Sequence, residues 1–294
     1  MTEADQPLDE PLDVLLRLLD IEPLEETLFR GLSPDTSVQR VFGGQVAGQA
    51  LVAAGRTVES ERRVHSLHAY FLHAGDPAIP LIYRVDVTRD TRTMSTRRVT
   101  ATQHNRAVFV LTASFMLPED GLAHQDPMPA APDPETLPTF AERFAPLAEE
   151  FPSRRRMPRP IDLRYVDDPP FLAAFKGESE PRRPDSQVWL RAAGTLPDDP
   201  LLHVCVLAYA SDMTLLDSVL APHGIDWTGK SAFIASLDHA MWFHGPFRAD
   251  EWLLYDQHSP WAGNGRGLAL GSIYTQDGQR VCSVVQEGLV RRRR

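Results

Sequence analysis

Lysine and cysteine are almost missing from this chain. Only Lys176 and Lys230 stand against 28 arginines, an imbalance that coding bias explains as readily as function, and only Cys205 and Cys282 are present. Two cysteines make neither a disulfide framework nor a metal-binding spacing, so no metal is expected and a reducing cytoplasm is the expected setting. Long hydrophobic runs are missing too: none approaches the roughly 18 residues a membrane span needs. The acidic start, Met1-Thr2-Glu3-Ala4-Asp5, lacks the basic and apolar stretches of a secretory leader. A net charge of −10 sets most of the surface against a phosphate backbone, which excludes general nucleic-acid affinity. G-x-S-x-G, H-E-x-x-H and paired-cysteine motifs do not occur, so a serine elbow or a zinc-protease helix has no support.

What is present is a repeat. Val64-His65-Ser66-Leu67-His68-Ala69-Tyr70-Phe71-Leu72-His73-Ala74-Gly75, followed by Leu81-Ile82-Tyr83, returns as Ile234-Ala235-Ser236-Leu237-Asp238-His239-Ala240-Met241-Trp242-Phe243-His244-Gly245, followed by Leu253-Leu254-Tyr255. Both copies continue to a Thr-Gln pair read as a strand start, Thr102-Gln103 and Thr275-Gln276, and then to an apolar run. A duplicated unit packs most simply about a pseudo-twofold axis. The 294 residues, 43% hydrophobic and 24% charged, have room for two such units of ordinary globular protein.

Apolar spacing at Leu12, Leu15, Leu16 and Leu19, with Pro11 in the first turn, predicts a helix. A short strand follows over Thr27–Gly31. From Val41 to Ala54 comes a second helix whose Gly43, Ala47, Ala50 and Ala54 form one face of very small residues; glycine weakens a helix, so this face needs a packing reason, and close approach of a curved sheet supplies one. Alternation from Val64 to Met116, broken at Gly75-Asp76-Pro77 and His104-Asn105, predicts about three strands. Residues 117–160 hold ten prolines and one helical patch, Phe140 to Phe151, and read as a connector. The second copy begins near Ile161–Tyr165 and Gln187–Arg191, runs through a helix from about Leu201 to Leu220, and fills Ser231 to Val290 with strands. The expected units are 1–118, a connector at 119–160, and 161–294. Side by side they make one continuous sheet with helices on its inner face and a ligand site between the copies.

Gly224-Ile225-Asp226-Trp227-Thr228-Gly229-Lys230-Ser231 matches the phosphate-loop pattern letter for letter. Its context is inverted, with a helix before it and a strand after it, so the match is read as coincidence. Arg154-Arg155-Arg156 with Arg159, and Arg291 to Arg294, are read as solvated charge, with a phosphate-facing rim as the sharper alternative. His65, His68 and His73 lie on a patterned strand, where a hydrogen-bonded structural role is the plainer reading; His65 could reach a pocket.

Comparing the copies is more telling. Asp212 sits near or within the second helix, beside Met213, Leu215 and Leu216, where the first copy has glycine. Ala235-Ser236 replaces His65-Ser66, and Val285-Gln286-Glu287 replaces Thr112-Ala113-Ser114. A carboxylate, a hydroxyl and an amide converging on one point can hold and deprotonate a water, with the Asp as general base and the other two fixing the geometry. Backbone N–H groups near Gly43 and Gly44 could stabilise an oxyanion, glycine letting the substrate come close.

Val41-Phe42-Gly43-Gly44-Gln45-Val46, Val64-His65-Ser66, Tyr209-Ala210-Ser211-Asp212, Asp238-His239-Ala240-Met241-Trp242-Phe243-His244, Glu251-Trp252-Leu253-Leu254-Tyr255, Tyr274-Thr275-Gln276-Asp277-Gly278 and Val285-Gln286-Glu287-Gly288 together resemble the acyl-CoA thioesterase II family, from about Leu12 to Val290 apart from the connector. The resemblance implies an α+β double hotdog fold: two tandem units, each an antiparallel sheet wrapped around a central helix. It also implies hydrolysis of acyl-CoA to fatty acid and CoA with no metal or organic cofactor. The family's Asp falls on Asp212, its hydroxyl residue on Ser236 and its glutamine on Gln286. Many bacterial members carry Thr where this chain has Ser236; the hydroxyl is kept, so function is expected to survive with looser water positioning. Asp90-Thr91-Arg92-Thr93-Met94-Ser95 departs from the family's usual Asp-Gly-x-Ser-Phe, so a change in that strand turn, local pocket shape and acyl-chain preference is expected. A hotdog enoyl-CoA hydratase would need an Asp and His pair for which no motif is found, and a non-catalytic acyl-CoA-binding protein would let the polar trio decay. Exposed sheet edges and faces lead to the expectation of a homodimer or homotetramer.

Overall fold

A computed structural model of the chain describes residues 10–34, 40–145, 159–176, 180, 182–225 and 232–292. The first half runs α1 (Pro11–Leu19), β1 (Glu22–Glu25), β2 (Leu28–Gly31), α2 (Gly43–Gly55), β3 (Arg63–Phe71), β4 (Leu81–Asp90), β5 (Met94–Gln103) and β6 (Arg106–Met116). A short helix α3 (Phe140–Arg143) follows, and the second half runs β7 (Ile161–Tyr165), α4 (Pro170–Phe175), β8 (Asp185–Ala192), α5 (Pro200–Ser211), α6 (Asp217–Leu220), β9 (Ala232–Ser236), β10 (Asp238–Phe243), β11 (Leu253–Gly263), β12 (Arg266–Thr275) and β13 (Arg280–Arg292). The strands form one thirteen-stranded antiparallel sheet in the order β1-β2-β4-β5-β6-β3-β10-β13-β12-β11-β8-β7, with β9 also on β13. This is the α+β double hotdog.

The halves join where β3 pairs with β10, and Ala69 faces His239. Those two residues occupy the same place in the repeated passage, so the junction is self-complementary and a pseudo-twofold axis passes between them. The inner face of the sheet carries Leu67, Val99, Leu111, Met241, Ile273 and Val284, all buried beneath the helices.

The strands after α2 number four rather than three. The missed break is at Thr91–Thr93, where no glycine or proline marks it. Thr91 closes the turn with its own side chain, its Oγ1 accepting from Met94 N–H at 3.0 Å. The departure at this position therefore leaves the turn intact. Thr102-Gln103 and Thr275 end strands instead of starting them, and the left-handed His104 and Asn105 turn the chain into β6.

The small-residue face of α2 meets α5, and it lies one residue on from the expected row. A methyl at Gly44 would sit 2.2 Å from the Tyr209 carbonyl oxygen, one at Gly48 3.2 Å from that of Cys205, and one at Gly55 2.4 Å from Leu201. These contacts run in opposite directions along the two helices, so α2 and α5 pack antiparallel, backbone against backbone.

The long helix expected from Leu201 to Leu220 is broken. α5 stops at Ser211, and residues 212–216 turn before α6 begins. A helix end leaves carbonyls without intrahelical donors; here the Tyr255 hydroxyl donates to Ser211 O at 3.2 Å, and in the turn beyond it Gln257 Nε2 holds the Thr214 side chain, donating to its Oγ1 at 2.6 Å. Strand side chains thus take over where the helix stops. The helical patch at Phe140 begins with a Thr139–Glu142 capping box; its continuation, Arg154–Arg156 and the last two arginines lie outside the described residues. So does most of the phosphate-loop look-alike, whose start follows a turn at Ala221–His223 and whose end leads into β9.

Candidate active site

Asp212 is the C-cap of α5. On dipole grounds this is the wrong end of a helix for a carboxylate. The antiparallel partner corrects it, because the opening turn of α2 lies over the same point and Gly44 N–H faces the Asp212 carboxylate and favours its charge. Phe42, the N-cap residue of α2, offers no side-chain cap. A carboxylate from the other unit does that work.

Ser236 ends β9 at a bulge. It pairs with Gly288, while Ala240 pairs with Val285, leaving one residue more between the pairs on this side than on β13. Leu237 N–H reaches Glu287 O at 2.8 Å, and Asp238 Oδ1 accepts Glu287 N–H at 2.8 Å. Bulges re-aim side chains, and this one turns Ser236 toward α5. Gln286 follows from the alternation of β13, being buried with Val284 and Gly288 on the inner face.

The three side chains meet. Gln286 Nε2 donates to Asp212 Oδ1 at 2.7 Å and to Ser236 Oγ at 2.7 Å, and Ser236 Oγ lies 3.4 Å from Asp212 Oδ1. Gln286 is fully buried, whereas Asp212 and Ser236 keep part of their surface open. Enclosure by protein pushes the Asp212 pKa up to about 6, against the opposing pull of Gln286, Gly44 N–H and Ser236. Such a carboxylate is ionised at neutral pH yet more basic than an ordinary aspartate, as a general base requires.

The remaining expected residues fall in different places. Gly43 is at the site: a methyl there would stand 2.5 Å from Asp212 Oδ2 and 2.9 Å from the Phe71 ring. Gly44 N–H faces the Asp212 carboxylate and draws its pKa down. His65 is not at the site. It lies six residues from Phe71 along β3, about 20 Å at strand spacing, where its Nε2 meets Ser114 Oγ at 2.8 Å and partial burial lowers its pKa. It occupies the first unit's counterpart of the strand position that precedes Ser236.

Two neighbours were not anticipated. Phe71 walls the site from the first unit, its N–H donating to Leu237 O at 2.9 Å. His239 lies beneath, fully enclosed, with Nε2 2.8 Å from Ser211 Oγ and its pKa lowered by burial to about 4. The signal for both was in the repeat: Phe71 sits beside the unit junction, and His239 stands where the other copy has Ala69. Among the described residues, no helix is long and apolar enough to cross a membrane.

Residues 158–289 match the family model described as acyl-CoA thioesterase, and residues 32–116 match that of the acyl-CoA thioesterase N-terminal domain. The chain is 40% identical to human acyl-coenzyme A thioesterase 8, covering 98% of this chain and 92% of the relative. It is 38% identical to acyl-CoA thioesterase 2 of Haemophilus influenzae, covering 95% and 98%. Among solved structures, acyl-CoA thioesterase II TesB2 of Mycobacterium marinum superimposes with a TM-score of 0.77 at 45% identity, covering 94% of this chain and 98% of that one. A hot dog protein from Alicyclobacillus acidocaldarius, 18% identical with a TM-score of 0.76 over 94% and 97%, shares the fold.

Proposed function

The chain belongs to the acyl-CoA thioesterase family and is an acyl-CoA thioester hydrolase, and from that membership we propose that Asp212, Ser236 and Gln286 hydrolyse fatty acyl-CoA through an activated water, with no covalent enzyme intermediate. The observation that carries the reading is the three-way contact of these side chains around a carboxylate of raised pKa.

Ionised Asp212 accepts a proton from a water that also rests against Ser236 Oγ. The water oxygen bonds to the thioester carbonyl carbon, and the carbonyl electron pair moves onto its oxygen. The first-turn N–H groups of α2 at Gly43 and Gln45 have no helical carbonyl four residues back, and they stabilise that oxyanion at the positive end of the helix. Collapse breaks the C–S bond, and the Asp212 proton passes to the departing sulfur, giving free acid and CoA thiol. Both hydrogens of the Gln286 amide are spent on Asp212 and Ser236, so Gln286 acts on the water at one remove, by holding base and hydroxyl in register.

Thiol release from acyl-CoAs of graded chain length, measured for the wild type and Asp212→Asn, tests the reading. Turnover is expected to fall by about 10²-fold or more in the variant with the fold retained, and the wild-type profile gives the chain-length class. Unchanged release in Asp212→Asn discards this site; acyl-CoA binding without any release in the wild type leaves a binding protein.

A further inference from the structure

Gln286 can work only one way round. Its Nε2 must face the Asp212 carboxylate and Ser236, because the opposite orientation would set an amide oxygen against a carboxylate. Its Oε1 is then turned away, buried and without a partner of full hydrogen-bond geometry. One step beyond the Ala240–Val285 pair, His239 comes opposite Gln286 on the same inward face, at cross-strand neighbour distance. The His239 Nδ1 is likewise buried and without a formed bond. The two orphaned atoms thus belong to adjacent side chains, and Gln286 opposes the burial that depresses the His239 pKa. On the far side of the ring, Ser211 Oγ meets Nε2 at 2.8 Å, and Ser211 is the residue before Asp212.

Resting on the catalytic reading above, we propose that His239 is a positioning residue for thioester hydrolysis: as a neutral imidazole protonated on Nδ1, it donates to Gln286 Oε1 and so locks the amide with its N–H groups toward Asp212 and Ser236. The tautomer follows from the amide. Two lone pairs facing each other in a buried site repel, whereas an N–H facing Oε1 satisfies both atoms and leaves Nε2 to accept from the Ser211 hydroxyl, whose one hydrogen then turns to the ring at 2.8 Å and away from the Ala208 carbonyl at 3.0 Å. The chain Ser211–His239–Gln286 then closes a loop from the residue before the base back to the base itself. The repeat supports the assignment. At the pseudo-twofold position the first unit has Ala69, which faces Leu111 across the strand pair, and at the place on β6 that matches Gln286 in the comparison of the copies it has Ala113. Histidine and glutamine occur together on one side of the axis and are both absent on the other.

Steady-state thiol release from the acyl-CoA that the wild type turns over fastest is measured for His239→Asn, His239→Gln and Gln286→Ala, and for His239→Gln combined with Gln286→Ala. Asn places an amide N–H where Nδ1 stands; Gln places one at Nε2 and abandons Oε1. The expected result is a fall of about 10- to 100-fold in kcat for His239→Gln with KM changed by less than about threefold, recovery to within about fivefold in His239→Asn, and no further loss when His239→Gln is added to Gln286→Ala. Nitrogen-15 spectra of histidine-labelled wild type, which need no variant to fold, are expected to show the His239 proton on Nδ1. A proton on Nε2 overturns the proposal, as does an equal loss from His239→Gln in both backgrounds, the mark of a merely structural side chain. Wild-type kcat in His239→Gln beside a collapse in Gln286→Ala overturns the His239 role alone. Full turnover in Gln286→Ala overturns the catalytic reading and the His239 role with it.

Discussion

At the C-terminal end of α2 the cap residue is Arg56, and at the C-terminal end of α5 it is Asp212. Around each cap the sheet offers the same inward positions, filled differently. In the first unit, Arg97 of β5 pairs with Ala113 of β6; in the second, Ala269 of β12 pairs with Gln286 of β13. Arg97 is almost fully buried and reaches the end of α2, donating to Thr57 O and Thr57 Oγ1 at 2.9 Å each and pairing with Asp90 at 2.9 Å. A cation at a helix C-terminus is the favourable sign. The second unit reverses this, leaving a small residue where the arginine would go and placing an acid at the helix end. That acid is supported from across the junction, by Gly44 N–H of the first unit. The cluster about Arg97 needs only its own unit, while the cluster about Asp212 needs both.

The largest effect is expected where the second cluster leans on the first. Gly43→Ala puts a methyl 2.5 Å from Asp212 Oδ2, so the carboxylate must move, and displacements near 1 Å cost roughly 100-fold in rate. Turnover should fall by that order while circular dichroism stays native. The next effect is in pH. With the Asp212 pKa at about 6, kcat/KM should fall about tenfold per unit below that value, and level off above it. Stability runs the other way. The folded pKa lies above the ordinary carboxylate value of 3.8, so the contribution of Asp212 is fully present below pH 3.8 and is lost as pH rises through 6. The rise from 3.8 to about 6 is worth at most about 3 kcal/mol, less for what the opening to solvent screens. Asp212→Asn should therefore melt no lower than the wild type at pH 7, and match it more closely at pH 4.

Much of this asymmetry was readable before the fold was known, because the repeat invites the copies to be compared. Asp212 and Gln286 stand out as polar residues in apolar runs, Ser236 comes with them from the comparison of the copies, and the resemblance points to the same three. What could not be read was which residues face each other. Asp212 was set against the glycines of the first helix as a matched position; in the fold it is their neighbour, because two antiparallel helices bring the end of one to the start of the other. The break after Ser211 was hidden because the groups that end the helix, Tyr255 and Gln257, lie more than forty residues on. His65 looked available because the alternation of a strand says which face a residue takes but not how far along the strand the site lies. Arg97 carried no signal at all, since one arginine among 28 reads as surface until its burial is seen.

Arg97→Ala sharpens the comparison from the other side. It strips two donors from the end of α2 and leaves a cavity beneath β5, so a loss of about 3 kcal/mol is expected, seen as a melting temperature lower by roughly 5–10 °C. Turnover per folded molecule should not change, because no atom of that cluster touches the other. A fall in kcat matching the fall in stability would show that the two clusters are coupled through α2.

The smallest effect tests the hydroxyl. Ser236 accepts from Gln286 at 2.7 Å and faces Gly288 across the strand pair, with the Leu216 side chain filling the space over that glycine. A threonine there suits an extended strand, and its second branch restricts the side-chain torsion that serine leaves free. Because the cross-strand neighbour has no side chain and the Leu216 methyls are the mobile end of theirs, the added methyl can be accommodated. Ser236→Thr should therefore hold or raise kcat by less than about threefold, whereas Ser236→Ala should lower it by about tenfold as Gln286 loses one of its two acceptors. If Thr and Ala prove equally damaging, the site is limited by volume at this position; if both are harmless, the water is held by Asp212 alone and the hydroxyl has no part in the rate.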